Sequence, residues 1–270
     1  MIVVTGATGN VGAPLVAELT AAGVPVTAVS RRTAPVPADL TRPDSLRPAL
    51  AGAEALFLMI PGGGAGVDPH AVLGAAKSAG VRRVVLLSSQ GVRTRPGGRS
   101  HAHLAACEAA VRGSGLEWTI LRPAGFASNA YAWAASIREQ RLVAAPFPQV
   151  ALPVVDPADL AAGAAVALRG GHHTRVYELT GPAPVSPRDQ AAAIGAALGE
   201  PVTFVELTRA EAADALGAFM PPEVVAGTLD ILGTPTPDEQ RVSGDVARLL
   251  GRAPRPFSAW AADHAAAFRR

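Results

Sequence analysis

The chain has 270 residues, of which 49% are hydrophobic and 17% charged; this is enough for one large α/β domain or a domain with an added lobe, and it excludes a disordered protein. A formal net charge of +2 without a block of like charges argues against nucleic acid as the main partner. The single cysteine, Cys107, excludes a disulfide framework, and we expect it to be a buried, inert thiol.

The start of the chain also bears on location. It begins with a core strand and not with a basic segment, and no apolar stretch reaches the roughly 20 uninterrupted residues of a spanning helix. We therefore expect no secretory signal, no membrane span and a cytoplasmic protein.

The first element predicts a nucleotide-binding βαβ unit. An apolar run at 1–4 gives way to a glycine-rich run at 5–12 (TGATGNVG), after which apolar residues recur at helical spacing. Gly6 would permit the sharp exit from the strand, Gly9 would let a pyrophosphate approach the backbone, and Gly12 would let the helix pack close to the sheet. The phosphates would face the free N–H groups of the helix. The alternative is a glycine-rich turn without a ligand.

The end of the second predicted strand, Val24 to Ser30, indicates which dinucleotide binds. Where an NAD-specific site places a carboxylate on the ribose, this chain has Arg31 and Arg32. Guanidinium groups suit a 2′-phosphate, so we predict NADPH in preference to NADH. The alternative is that both arginines only solvate the strand end.

Further predicted strands complete the sheet. Asp39 and Leu40 fall at the end of a short third strand, and the apolar run from Glu54 to Ile60, typical of a sheet covered on both faces, ends at Pro61. After a helix through 72–79, the fifth strand, Arg82 to Leu87, ends at three polar residues, Ser88, Ser89 and Gln90. These could reach a nicotinamide or a substrate carbonyl, or one of them could simply cap the strand end.

The next segment, Gly91 to Ser100, is predicted to be a loop. It carries Arg93, Arg95 and Arg99, which would either attract an anionic or polyphenolic substrate to the pocket mouth or be solvated. A helix from about His101 to Arg112 follows.

After residue 150 the sequence shows residues that predict where helices begin, and we assign them no chemical role. Asp156 and Ser186, each followed by proline, are predicted N-caps, and Thr208 with Glu211 forms a predicted capping box. His172 and His173 are expected to be solvent-exposed.

Three stretches carry a resemblance to a known family. A helix with Glu108 followed by 114–123 (SGLEWTILRP), then 154–161 (VVDPADLA) and 177–182 (YELTGP), resemble the NmrA-like atypical short-chain dehydrogenases/reductases, especially their quinone-oxidoreductase and azoreductase-like branch. The similarity spans nearly the whole chain. It implies that Asp39 and Leu40 meet the adenine ring, although an aspartate in a turn is an equal alternative for Asp39.

The predicted fold is α/β, a Rossmann-type doubly wound parallel sheet with a smaller C-terminal substrate lobe. We place the NAD(P)-binding domain at 1–150 and the substrate-binding lobe, packed on the same sheet, at 151–270. The predicted cofactor-binding residues are Gly6, Thr8, Gly9, Asn10, Val11, Gly12, Arg31, Arg32, Asp39, Leu40, Ile60, Pro61, Ser88 and Pro123.

The catalytic pair that is usual in short-chain reductases, Tyr-x-x-x-Lys, is absent. The tyrosines are Tyr131 and Tyr177 and the one lysine is Lys77, while the matching positions hold Ser100 and Leu104. Interconversion of simple alcohols and ketones by a tyrosine acid is therefore not expected.

Two proton sources remain open. A quinone or flavin-like acceptor gives a conjugated anion that can take its proton from water; alternatively His101, His103 or Tyr131 replaces the missing acid. The catalytic candidates are Ser88, Ser89, Gln90, His101 and Tyr131. No spacing of histidine and carboxylate residues indicates a metal site.

The leading hypothesis is an NADPH-dependent oxidoreductase of a small quinone or related conjugated or aromatic carbonyl, of the kind found in secondary metabolism. The alternatives are a sensor that binds NADP(H) with little or no catalysis, and a redox-neutral isomerase or cyclase. No nucleic acid or membrane partner is expected, and whether the chain forms a homodimer stays open.

Overall fold

The computed structural model describes residues 1–31, 36–60 and 64–270. Its strands are β1 (Ile2–Thr5), β2 (Val26–Ser30), β3 (Val36–Pro37), β4 (Ala55–Leu58), β5 (Arg83–Leu87), β6 (Glu117–Pro123), β7 (Leu142–Ala145), β8 (Arg175–Leu179) and β9 (Thr203–Glu206). Seven of them form one sheet in the order β3-β2-β1-β4-β5-β6-β8, and every pairing in it is parallel. The predicted doubly wound α/β fold is confirmed.

Helices connect the strands. They are α1 (Gly12–Ala21), α2 (Arg47–Leu50), α3 (Pro69–Ser78), α4 (Gly91–Thr94), α5 (Ala102–Gly113), α6 (Ala134–Gln140), α7 (Pro157–Arg169), α8 (Pro187–Leu198), α9 (Arg209–Gly217), α10 (Pro222–Gly233), α11 (Pro237–Gln240), α12 (Asp245–Leu250) and α13 (Phe257–Asp263). Short 3₁₀ segments lie at Pro43–Leu46, Arg99–His101, Ala127–Trp133 and Ala265–Phe268.

Both faces of the large sheet are covered by helices. Successive side chains of a strand point to opposite faces, and accordingly Ile2 and Val4 join the cluster formed with α1, α7 and α12, while Val3 joins the cluster formed with α2, α3 and α5. This double burial explains why the central strands read as continuous apolar runs.

The C-terminal part packs a separate set of side chains. β7 and β9 form a two-stranded parallel sheet, and an aromatic-rich cluster including Phe257, Trp260 and Phe268 lies beside α8 and α13. A smaller cluster joins α9 and α10. β8 lies after residue 150 in the chain yet completes the large sheet, and the boundary at 150 stays a prediction.

Several local predictions can be compared with this fold. The caps are confirmed: Asp156 accepts from Ala158 N–H, and Ser186 and Thr208 each form a capping box. The predicted loop at 91–100 is wrong, since it contains α4 and a 3₁₀ turn.

The two adjacent histidines behave differently from each other. His173 is exposed as predicted. The prediction for His172 is wrong: it is half-buried, its ring makes an edge contact with Tyr177, and its Nδ1 lies 2.7 Å from the Tyr177 hydroxyl. Among the described residues, no helix combines the length and apolar character that a membrane crossing needs.

Candidate cofactor and substrate site

A cavity of about 370 Å³ opens at the carboxyl ends of β1, β2 and β4. Parallel strands present their carboxyl ends at one edge, where open α/β sheets bind ligands. Among the predicted binding residues, the cavity is lined by Gly6, Thr8, Gly9, Arg31, Asp39 and Leu40. Its other lining residues are Thr5, Val29, Ser30, Ala38, Thr41, Met59, Ala65 and Val67.

The missed lining residues had only a weak signal in the sequence. Thr5, Ser30 and Thr41 adjoin predicted residues, and Met59 precedes Ile60. Their proximity to the predicted residues was visible in the sequence. The sequence did not show which of these side chains face the crevice, because that depends on how the backbone turns at the end of each strand.

The glycine-rich turn between β1 and α1 is shaped by close backbone approach. Gly6 has a φ of +63°, a left-handed conformation that favours glycine. A Cβ at Gly12 would lie 2.9 Å from Ala7 Cα and still closer to the Gly6 carbonyl group. No side chain caps the first turn of α1, so no side-chain acceptor competes there with an anion, although Ala13 and Leu15 N–H donate to the Gly9 and Val11 carbonyls. These residues fit the pyrophosphate of a dinucleotide.

Thr5 fixes the floor of the cavity. Its buried hydroxyl accepts from Met59 N–H at 2.9 Å and lies 3.1 Å from the carbonyl oxygens of Phe57 and Met59. The end of β1 is thereby tied to the end of β4, and the Met59 side chain is held beside Gly6.

Asp39 and Arg31 give the cavity its charge. The Asp39 carboxylate accepts from Thr41 N–H at 2.9 Å, and this backbone hydrogen bond, followed by one to the Thr41 side chain, lowers the pKa of Asp39. Arg42 and Arg31 lower that pKa further. Arg31 is exposed at the rim. Two predicted binding residues, Arg32 and Pro61, lie outside the described residues.

The remaining predicted cofactor residues in the described part of the chain do not line the cavity. Asn10 is exposed and donates to Ser128 Oγ at 3.1 Å. Val11, Ile60 and Pro123 are buried, and the Pro123 carbonyl accepts from Gln90 N–H at 2.9 Å. Their contact with a cofactor stays a prediction.

A buried carboxylate organises the end of β5. Glu108 accepts from Ser88 Oγ at 2.7 Å and from Arg122 Nε at 2.8 Å and Nη2 at 2.6 Å. Burial acts to raise the pKa of the Glu108 carboxyl, but the hydrogen bonds from Arg122 and Ser88 outweigh it and hold that pKa below its ordinary value. The Ser88 hydroxyl, predicted to act in catalysis and cofactor binding, is thus directed at Glu108.

The two residues after Ser88 are also engaged. Ser89 Oγ accepts from Gly91 N–H at 3.1 Å, the arrangement expected of a residue that caps a strand end. Gln90 is buried. The catalytic roles of Ser88, Ser89 and Gln90 stay predictions.

His101 is packed closely within its turn. Its Nδ1 lies 3.0 Å from Ser100 Oγ, and its ring edge lies against Gly91, where a Cβ would overlap it. Burial lowers the pKa of His101, while the charges of Glu239 and Arg95 act on it with opposite signs. The lowered pKa favours the neutral form of this imidazole.

His103, the other candidate on this segment, is also partly buried. Its ring edge lies against Gly64, and its Nε2 is 3.4 Å from Cys107 Sγ. Burial lowers the pKa of His103. Cys107 is buried as predicted, and burial with the nearby Glu108 charge raises the pKa of its thiol to about 11.

Tyr131 lies among aromatic rings. Its ring is stacked with Phe268 and forms edge contacts with Trp260 and His264. Burial, followed by the charge of Asp156, raises the pKa of the Tyr131 hydroxyl. The structure therefore makes it a weaker acid than an ordinary tyrosine.

The arginines at 91–100 are not all available to a substrate. Arg93 is paired with Glu178 and Asp238, and Arg95 is paired with Glu239. For Arg93 and Arg95 both alternatives from the sequence are wrong. Each guanidinium is paired with carboxylates distant in sequence, so it is neither simply solvated nor unpaired and ready to attract an anionic substrate. Arg99 is exposed.

Known proteins resemble the chain over nearly all of its length. Residues 6–144 match a family described as NAD(P)H-binding. The chain is 37% identical to the (4-alkanoyl-5-oxo-2,5-dihydrofuran-3-yl)methyl phosphate reductase of Streptomyces griseus, with 99% of each chain covered. It is 32% identical to the NAD(P)H azoreductase of Xenophilus azovorans, again with 99% of each covered.

A solved structure agrees in fold. The NADPH-dependent quinone oxidoreductase of Escherichia coli, complexed with NADPH, superposes with a TM-score of 0.79 at 26% identity, covering 97% of this chain and 99% of that one. The parallel sheet, the glycine turn and these similarities agree. The chain belongs to the NAD(P)H-binding, NmrA-like atypical short-chain dehydrogenases/reductases and is an NAD(P)H-dependent oxidoreductase.

Proposed function

We propose that the protein is an NADPH-dependent reductase of a quinone or a related conjugated or aromatic carbonyl. The observation that carries the proposal is the polar group at the position of the usual tyrosine. Ser100 stands there, with its hydroxyl 3.0 Å from His101 Nδ1, and Leu104 stands at the lysine position. An aliphatic hydroxyl in that setting is a poor proton donor, so the acceptor should need no strong acid.

Conjugated acceptors meet this requirement. NADPH, when bound, supplies the hydride. The electron pair gained by a quinone ends on an oxygen whose charge is delocalised through the ring, so water can protonate it. The anion formed from a simple ketone has no such delocalisation and depends on a positioned acid. The names of the relatives, which include azo and quinone reductases, support an acceptor of this class.

None of the three alternative acids is well prepared to replace the tyrosine. His101 and His103 each have a lowered pKa, and their ring edges lie against Gly91 and Gly64. Tyr131 has a raised pKa within an aromatic cluster. We therefore assign His101 and Ser100 to shaping the acceptor side of the site, and we take the proton from solvent.

A matched panel of acceptors tests the function. Purified protein with NADPH is supplied with menadione, an azo dye or cyclohexanone, and loss of the reduced nicotinamide absorbance is followed. We expect turnover with the quinone and none with cyclohexanone. Tight NADPH binding without turnover of any acceptor would replace the proposal by a sensor, and conversion that needs no added cofactor would indicate an isomerase or cyclase.

The cofactor preference is tested at Arg31. This exposed side chain lines the cavity, and a guanidinium suits a 2′-phosphate. We expect Arg31→Glu to weaken NADPH binding far more than NADH binding, as measured by fluorescence titration. Arg82→Glu, at the opposite end of the sheet, is the control and should leave both affinities unchanged. Equal losses for the two cofactors in Arg31→Glu would refute the assignment.

A further inference from the structure

Glu239 is a fully buried carboxylate on α11 with four hydrogen bonds. Its side chain is 0% exposed. It accepts from Arg95 Nε at 2.7 Å and Nη2 at 2.9 Å, from Thr94 Oγ1 at 3.0 Å and from Thr236 N–H at 2.8 Å. A buried charge is tolerated only when it is paired and hydrogen-bonded in this way. The Arg95–Glu239 ion pair thus connects the segment after β5 to α11 in the C-terminal part of the chain.

Arg95 extends the link to α10. Its Nη2 also lies 3.2 Å from the Asp230 carbonyl oxygen and 3.0 Å from that of Thr234, at the end of α10. The Asp230 carbonyl also accepts from Thr234 N–H at 2.9 Å, so Arg95 adds a further, charged donor at the last turn of the helix. Arg95 therefore fastens the C-terminal end of α10 to the segment that leads into Ser100 and His101.

The helix α10 lies directly on that turn. A Cβ at Gly227 would be 2.5 Å from Ser100 Oγ and 2.8 Å from Ser100 Cβ, so the helix backbone touches the side chain. The cavity for the cofactor occupies the carboxyl ends of β1, β2 and β4. An acceptor beside this cavity would be received on the neighbouring part of the edge, beyond β5, on the side where the Ser100 turn and α10 meet.

We propose that the buried Arg95–Glu239 pair is a positioning pair for the acceptor: it holds α10 on the Ser100–His101 turn and so fixes the wall against which the acceptor binds. The inference rests on the proposed function, since it concerns the acceptor side of the same site. Neither residue lines the cofactor cavity, so the pair acts on acceptor binding and leaves cofactor binding unchanged.

Electrostatics gives the pair a second, independent signature at His101. The elements packed against its turn are α5, which carries His103, Glu108 and Arg112, and α10, which carries Glu223 and Asp230. The neighbouring α4 segment and α11 carry Arg93, Arg95, Asp238 and Glu239, and Arg99 lies in the turn itself and is exposed. Glu108 is paired with Arg112 and Arg122. Arg93 is paired with Glu178 and Asp238, Asp230 is paired with Arg209, and Glu223 is exposed. Burial lowers the pKa of His101, the Glu239 carboxylate raises it and the Arg95 guanidinium lowers it.

The test compares Glu239→Gln, Arg95→Met and the double variant with Glu200→Gln. Glu200 forms an ion pair of similar length with Arg141, 2.7 Å, but its side chain is 56% exposed and it lies outside this network. Glu239→Gln and Arg95→Met should raise the KM for menadione about tenfold or more, the equivalent of one charge-assisted hydrogen bond. The Kd for NADPH should not change, and Glu200→Gln should match the unaltered protein in both measurements.

The imidazole signals of His101, assigned with His101→Gln, provide the second measurement by NMR titration. Glu239→Gln should lower the pKa of His101, Arg95→Met should raise it, and the double variant, which leaves no unpaired buried charge, should return close to the starting value. An unchanged menadione KM in both single variants, or an equal loss of NADPH affinity, would overturn the inference. If neither the unaltered protein nor any variant turns over an acceptor, the proposed function fails. Opposite shifts of the His101 pKa in the two single variants would then still support the connection between the Arg95–Glu239 pair and the His101 turn. Shifts of the same sign would overturn it.

Discussion

The glycine-rich turn gives the sharpest prediction, for Gly12→Ala. A Cβ there would lie 2.7 Å from the Gly6 carbonyl carbon and 2.9 Å from Ala7 Cα, where ordinary contacts begin at 3.4 Å. Helix propensity alone favours alanine by about 1 kcal/mol, whereas overpacking costs about 1–3 kcal/mol and occasionally more. Because the obstacle is backbone in the turn itself, the clash should prevail.

The assays for Gly12→Ala are urea unfolding and NADPH titration. We expect lower stability and a Kd at least about tenfold higher, which corresponds to a shift of about 1.4 kcal/mol in the binding free energy. Gly74→Ala is the matched control, since Gly74 lies in α3, is exposed and has no atom within 4 Å of the added Cβ. It should be neutral or stabilising by up to about 1 kcal/mol. Equal stability and equal NADPH affinity for Gly12→Ala and the unaltered protein would refute the reasoning.

Further predictions concern three buried or capping groups, Glu108, Cys107 and Ser186. Glu108→Ala, which leaves the largely buried Arg122 without its partner, should destabilise by about 3–5 kcal/mol in urea unfolding. Because the pKa of Glu108 is lowered in the folded state, its contribution to stability is present above the ordinary glutamate pKa and is lost as the pH falls through the folded value. The free energy of unfolding should therefore fall more steeply toward acid pH in the unaltered protein than in Glu108→Gln. Equal slopes for the two proteins would contradict this. Cys107, with a thiol pKa of about 11, should resist alkylation in the native protein near neutral pH and react on unfolding, whereas rapid native labelling would show the thiol to be accessible. Ser186→Ala, which removes the acceptor for Asp189 N–H, should lower stability by about 1 kcal/mol in thermal unfolding, and no change would show the cap to be redundant.

Local sequence patterns were sufficient for the fold. Apolar runs of strand length alternating with helical periodicity predict a parallel sheet, and the structure confirms it. Proline after Asp156 and Ser186, and Glu211 three residues after Thr208, located three helix starts, because a cap is formed by residues adjacent in the chain.

The residues of the cofactor cavity were nearly as predictable from the sequence as the fold. The glycine turn, Arg31 and Asp39 all line the observed cavity, because each follows directly from a strand end and parallel strand ends share one edge. Which neighbours also face the cavity, such as Met59 and Val67, depended on the turn of the backbone after β4.

The sequence by itself determined the layered fold, the glycine turn and the absence of the Tyr-x-x-x-Lys pair. Only the tertiary structure decided what happens to Arg93 and Arg95, which looked available in the sequence and are held by Glu178 and Glu239, 85 and 144 residues away. It likewise directed the Ser88 hydroxyl to Glu108 and placed α10 on Ser100. The physical reason is that periodicity and capping act between neighbours in the chain, whereas a buried charge is satisfied by whichever residue the topology brings beside it.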